Sequence, residues 1–241
     1  MKVYLTNLNE SWIVDRLRDE WYQHNTSISV DSIKQAEIIW IIAPWLWKKI
    51  KKKHLRDKKV VCSIYHLEDK DFEHKQIRDF KKRDSFVDVY HVISLKTKKE
   101  LEKLTDKEII YIPFWSDQLS WYEIKDKDNL RKKYGLPLDA YILGSFQRDT
   151  EGSDLKSPKL IKGPDRLVKI IEAKNRDFDK LVVLLSGKRR QYIIKELENL
   201  NITYKYFEMV ESDQLNELYN CLDLYVVSSR IEGGPQAIIE C

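Results

Sequence analysis

Leu222-Asp-Leu-Tyr-Val-Val-Ser-Ser-Arg-Ile-Glu-Gly-Gly-Pro-Gln-Ala-Ile-Ile-Glu-Cys241 decides how this chain is read. The apolar run up to Val227 predicts a strand, Gly233 and Gly234 a turn, and Pro235 the first turn of a helix. Two glycines let backbone come close to a ligand, and proline costs little where its missing N–H had no helical partner. The free amides and the positive end of the helix dipole suit a phosphate or sugar oxygen. Glu240 follows Pro235 by five residues, about 8 Å at 1.5 Å per residue. Glu232 and Glu240 are thus offset to grip hydroxyls at different points of one extended ligand, such as a sugar nucleotide. A solvated helix face is the plain alternative for two glutamates at this spacing.

Upstream, apolar runs alternate with charged helical stretches. Residues 3–6, 37–42, 59–65, 89–94 and 109–112 are strand candidates whose nearly continuous apolar character fits a parallel sheet covered on both faces. Ser11 to His24 and Thr97 to Leu104 would supply crossover helices. The pattern lapses near 113–138, read as a connection, and then resumes. Strands are expected at 140–145, 180–185, 202–207 and 224–227, with helices at 164–173, 189–200 and 213–222 between them. Leu215, Leu218, Tyr219 and Leu222 recur at helical spacing. The fold class is α/β: two Rossmann-like domains, 1–125 and 126–241, facing each other across a cleft where ligands of such folds collect.

Ahead of the terminal stretch, Gly144-Ser-Phe-Gln-Arg148 closes a predicted strand, and Lys162-Gly-Pro opens the next helix. Arg148 can engage phosphate oxygens in a fork and Lys162 supplies a point charge, which together suit a diphosphate. The alternative is two surface charges near a turn. The long loop Thr150 to Leu160 is a candidate to close over the ligand. Lys188-Arg189-Arg190 reads as a surface cluster at a helix start, with a hold on phosphate or base as the alternative, and His66 lies just past an inner strand, beside Glu68.

The segment Glu232 to Glu240 closely resembles the Glu-x7-Glu signature of the family-4 retaining glycosyltransferases, which have the GT-B fold. The resemblance implies a nucleotide-diphosphate sugar as donor, a saccharide or lipid-linked acceptor, and no cofactor or metal. It implies that Glu232 contacts the transferred hexose, Glu240 the ribose hydroxyls, and Gly233 and Gly234 the sugar and diphosphate through their amides. Gly144 and Pro235 complete the donor-binding set. Arg148 and Lys162 match the cations that stabilise the departing nucleotide, and His66 matches a histidine that reaches the sugar. The catalytic set is then His66, Arg148, Lys162 and Glu232. Two departures stand out: Asn7 to Trp12 lacks the glycine-rich loop of many relatives, and the chain stops at Cys241, where the family continues. A truncated second domain is the expectation.

Composition narrows the rest. The 241 residues are 42% hydrophobic and 34% charged, with no apolar stretch long enough to span a bilayer. Three scattered cysteines form neither a zinc spacing nor a disulfide framework, so a reducing cytoplasm is expected. Asp126-Lys-Asp128 has the spacing of a metal-binding DxD motif but falls in the connection. Lys48 to Lys59 holds eight Lys and Arg against Asp57 alone, next to Trp45-Leu46-Trp47. Residues 45–59 are therefore a candidate for peripheral contact with the inner face of a membrane, with a solvated helix face as the alternative. No nucleic-acid motif accompanies the patch. Competing functions are a non-catalytic sugar-nucleotide-binding or scaffolding protein and a GT-B epimerase or phosphorylase.

Overall fold

Apolar runs that recur every twenty to forty residues form two separate parallel sheets in the structure, a computed structural model that describes residues 1–7, 13–67 and 74–241. Glu68 and Leu8 to Trp12 lie outside the described residues. The chain divides into two compact units, Met1–Trp115 and Ser116–Cys241.

In the first unit, strands β1 (Val3–Leu5), β2 (Ile38–Ile41), β3 (Lys59–Ile64), β4 (Val89–Val92) and β5 (Glu108–Tyr111) lie side by side in chain order. Helices α1 (Ile13–His24), α2 (Lys52–Asp57), α3 (His74–Asp84) and α4 (Leu95–Leu101) fall between them. Every residue of β4 is buried, which is why this segment reads as apolar rather than alternating. A polar chain crosses the sheet. Trp40 Nε1 donates to Ser63 Oγ at 2.8 Å, Ser63 Oγ meets His91 Nδ1 at 2.8 Å, and His91 Nε2 lies 2.8 Å from the Ile112 carbonyl. Burial holds the His91 pKa below its usual value, so the neutral ring donates from Nε2 and accepts at Nδ1. His91 is a structural residue.

A 3₁₀ turn, Pro44–Lys49, follows β2. It divides Trp45-Leu46-Trp47: Leu46 and Trp47 are core residues at 1% and 7% exposure, and of the three Trp45 is exposed, at 44%. Hydrophobic burial claims the two inward side chains. Trp115 packs against Trp21 and Trp40, and its Nε1 donates to Glu20 at 2.8 Å.

The second unit contains α5 (Lys127–Lys133), β6 (Tyr141–Ser145), α6 (Pro164–Asp177), β7 (Leu181–Ser186), α7 (Gln191–Asn199), β8 (Tyr204–Phe207), α8 (Ser212–Asn220), β9 (Leu224–Tyr225) and α9 (Gln236–Glu240). Its sheet runs β8-β7-β6-β9. Residues 116–125 belong here, ahead of the boundary read at 125/126. Trp121 packs edge-on to Tyr219, and the amides of Tyr122 and Ile124 donate to Asn216 and Asn220 of α8. Asp126 caps α5 by accepting from the Asn129 amide at 3.1 Å, an ordinary N-cap use of aspartate. Arg131 and Lys127 then fasten α5 to Asp223, at 2.6 and 2.7 Å.

Gly144 is buried within β6, and an added Cβ would lie 2.3 Å from Leu222 Cδ1. The glycine thus has a packing role beside its expected donor role. Replacing Gly144 by Ala should lower unfolding free energy by about 1–3 kcal/mol through overpacking, and Leu222→Ala by about 2–5 kcal/mol through the cavity it leaves. In the double variant, denaturant unfolding should give a total smaller than the sum, since the shortened side chain vacates the contested space.

Candidate functional site

The carboxyl ends of β6 and β9 bring three loops together in the second unit: residues 146–150, the 3₁₀ turn Leu160–Lys162, and 228–232. Gly163 makes the approach possible. It caps α6 at φ 63°, and a Cβ there would stand 2.1 Å from the Ser228 carbonyl oxygen. Only glycine combines a left-handed backbone with that close contact.

Around this crossing the polar groups interlock. Gln147 Nε2 donates to the Lys162 carbonyl and to Ser228 Oγ, each at 2.9 Å, and Ser228 Oγ donates to the same carbonyl at 3.1 Å. The Arg230 amide donates to the Ile161 carbonyl at 2.8 Å. Lys162 Nζ reaches Glu232 Oε1 at 2.5 Å, and Ser229 Oγ donates to that oxygen at 2.7 Å. Lys162 and Glu232 are partly exposed, at 30% and 22%, so a ligand has access to both.

Two ion pairs fasten the loops, one at the surface and one buried. Arg230 grips Asp165 at the start of α6 with two bonds of 2.7 and 2.6 Å. That hydrogen bonding holds the Asp165 carboxyl well below the usual carboxylate range, at about 2. Arg190 is fully buried and pairs with buried Asp149 at 3.2 Å. This corrects the reading of Lys188-Arg189-Arg190 as a surface cluster: Arg190 turns inward because Asp149 supplies a buried counter-charge. Burial pushes the Asp149 carboxyl up to about 6, against the pull of Arg190. The Asp149 and Thr150 amides donate to the Arg189 carbonyl at 3.1 and 3.3 Å, so the pair anchors the loop that carries Arg148. Arg148 itself is exposed and bonds through Nε to the Thr150 carbonyl at 2.7 Å.

The loop expected to close over a ligand is a small hairpin. Thr150 pairs with Pro158, the Glu151 amide bonds the Ser157 carbonyl at 3.0 Å, and Arg189 Nη1 bonds the Gly152 carbonyl at 2.8 Å. Gly233 is buried and Gly234 exposed, and neither has a positive φ, so small size is what they contribute. Pro235 stands at the N-cap of α9 rather than within its first turn.

The structure therefore joins Lys162 and Glu232 and sets Arg148 on an adjoining loop. Glu240 is held differently: it is buried and accepts from Tyr219 Oη at 3.3 Å. It lines a cavity of about 520 Å³ with Trp121, Tyr122 and Cys241. His66 is exposed just beyond β3 in the first unit. Gln147, Ser229, Asp149 and Arg230 were not singled out from sequence, although Gln147-Arg148-Asp149 just after a strand is the local signal for two of them. Among the described residues no group of three or more His, Cys, Asp or Glu is placed to hold a metal.

No protein-family model matches the sequence, and no curated protein matches it. Solved structures do. HepE of Anabaena, in complex with UDP and glucose, aligns with a TM-score of 0.74 at 11% identity, over 100% of this chain and 77% of that one. Sucrose-phosphate synthase from Thermosynechococcus elongatus gives 0.66 at 15% identity, over 98% and 60%. A glycosyltransferase from Rickettsia africae gives 0.56 at 14% identity, over 98% and 62%. At such identities the likeness is one of fold, and the fold is the GT-B fold of glycosyltransferases.

Two outcomes follow. Asp149→Ala should cost about 3–5 kcal/mol in unfolding free energy by leaving Arg190 buried and uncompensated, and an Asp149→Leu/Arg190→Met double variant should cost less. The folded-state pKa of Asp165 is depressed, so its contribution is present above its ordinary value of 3.8 and fades as pH falls towards about 2. In thermal melts, the advantage of the native protein over Arg230→Gln should shrink across that window and be steady above it.

Proposed function

We propose that this protein is a family-4-like retaining glycosyltransferase that moves a hexose from a nucleotide-diphosphate sugar to an acceptor hydroxyl. The observation that carries the reading is the 2.5 Å contact between Lys162 Nζ and Glu232 Oε1, held at the strand ends of a Rossmann-like unit, where such folds bind ligands. The fold adds support, since HepE, which shares it, was solved with UDP and glucose.

The paired charges neutralise each other without a ligand. An arriving diphosphate offers the Lys162 ammonium a stronger anion, which frees the Glu232 carboxylate to accept from sugar hydroxyls. Arg148, whose terminal guanidinium nitrogens are without a protein partner among the described residues, would clamp the same phosphates. As the bond from the anomeric carbon to the β-phosphate oxygen breaks, charge gathers on that oxygen, and both cations stabilise it. The acceptor oxygen bonds the anomeric carbon on the same face, and its proton passes to the leaving phosphate. This scheme needs no metal. Following the resemblance, Glu240 is assigned to the ribose hydroxyls and His66 to the hexose. A lipid-linked or polysaccharide acceptor, with membrane contact through 45–59, completes the proposal. No helix among the described residues is long and apolar enough to cross a membrane.

The test is UDP release from UDP-glucose, and nucleoside diphosphate release from a donor panel. Lys162→Ala and Arg148→Ala should each lower turnover on the order of 10²-fold or more, with Glu232→Ala similarly impaired. Turnover indifferent to all three changes would refute the site, and donor binding without turnover for any acceptor would favour a non-catalytic binding protein.

A further inference from the structure

A second cavity, of about 350 Å³, lies in the first unit against the edge strand β1. Its apolar floor includes Tyr4, Ile33 and Ile50, and its rim carries Lys34, Lys49, Lys51 and His54, with Thr6 and Asn7 at the end of β1. Among the described residues no Asp or Glu lines it. Among the described residues none of the three lysines is in an ion pair, whereas neighbouring Lys48 is matched by Asp79 at 2.7 Å. The nearby Asp31 is engaged by Arg18 at 3.6 Å. Among the described residues, counter-charge is thus present around the cavity and missing at its rim.

Three ammonium groups around one concavity repel one another, and low-dielectric walls focus their field into the opening. An anion seated there removes that repulsion and gains charge-assisted hydrogen bonds. Lysine serves as a point charge for phosphate, and the volume falls within the range of small-ligand sites. The backbone beneath is fixed: the Ile42 amide donates to buried Thr6 Oγ1 at 3.1 Å, and Leu46 is 1% exposed. Lys49 and Lys51 sit at the junction of the 3₁₀ turn and α2, so their Cα positions are set by packed elements.

We infer that this cavity of the first unit is a binding site for a phosphate group of a small ligand, built from residues other than those of the Lys162–Glu232 site. The phosphate belongs either to a free phosphate ester or to an anionic lipid headgroup. Lys49, Lys51 and His54 belong to the basic run Lys48 to Lys59, which thereby gains a specific role in place of a diffuse one.

The experiment is an NMR titration of the full chain with inorganic phosphate at low ionic strength. Saturable shifts are expected for the amides of residues 49–54 and the His54 ring. A Lys34→Ser/Lys49→Ser/Lys51→Ser variant should weaken the apparent affinity at these resonances at least tenfold while leaving shifts near Lys162 unchanged. All three are exposed side chains, and an unchanged melting curve would verify that the variant is folded. In a second arm, protein is sedimented with phosphatidylcholine vesicles containing phosphatidylglycerol. Binding that the triple change abolishes and phosphate competes away assigns the site to a headgroup; vesicle binding that is absent or unaffected by the triple change assigns it to a free ester. Shifts that do not saturate, or that persist in the triple variant, would overturn the inference.

Discussion

Gly163 sits where no other residue fits, and the second unit's site depends on it. Its left-handed backbone and missing Cβ allow the Ser228 carbonyl to come within contact distance, which brings the loop after β9 onto the turn before α6. With the backbones touching, Lys162 and Glu232 are forced to face one another, and Gln147, Ser228 and Ser229 can fill the remaining hydrogen bonds. A larger residue at 163 would separate the loops before any charge could be matched. Backbone sterics come first here, and electrostatics follow.

Around this contact the structure arranges charge at two depths. Arg190 and Asp149 are buried and pin the Arg148 loop, where the penalty for breaking the pair is large. Arg230 and Asp165 lie at the surface and latch the terminal loop to α6 with ideal fork geometry. Lys162 and Glu232 lie between these extremes, sheltered enough to hold a defined geometry and open enough to exchange partners with a ligand.

Much of the fold was legible because buried parallel strands are apolar along their whole length. The observed strands fall within one or two residues of the expected ones over most of both sheets. β9 is shorter than expected because Ser228 and Arg230 bond to the Lys162 and Ile161 carbonyls rather than extending the ladder. The boundary moved because Trp121 has a specific partner in Tyr219, a long-range contact that composition does not encode. At the site, residue types pointed to Lys162 and Glu232. Sequence could not tell that the space above Gly144 is filled by Leu222, or that Arg190 turns inward. A glycine that admits a ligand and one that admits a leucine read alike, and a charged triplet gives no sign of which member has a buried partner. The glutamates eight residues apart also part company, with Glu232 on Lys162 and Glu240 on Tyr219.

On the proposed function, the Lys162–Glu232 contact holds the place of a donor diphosphate. The most direct measurement is a crystal structure of the protein soaked with UDP. Lys162 Nζ should leave Glu232 for the β-phosphate, with the Arg148 guanidinium turned onto the same group and the Gly163–Ser228 crossing unchanged. UDP bound elsewhere in the second unit, with Lys162 still on Glu232, would contradict it.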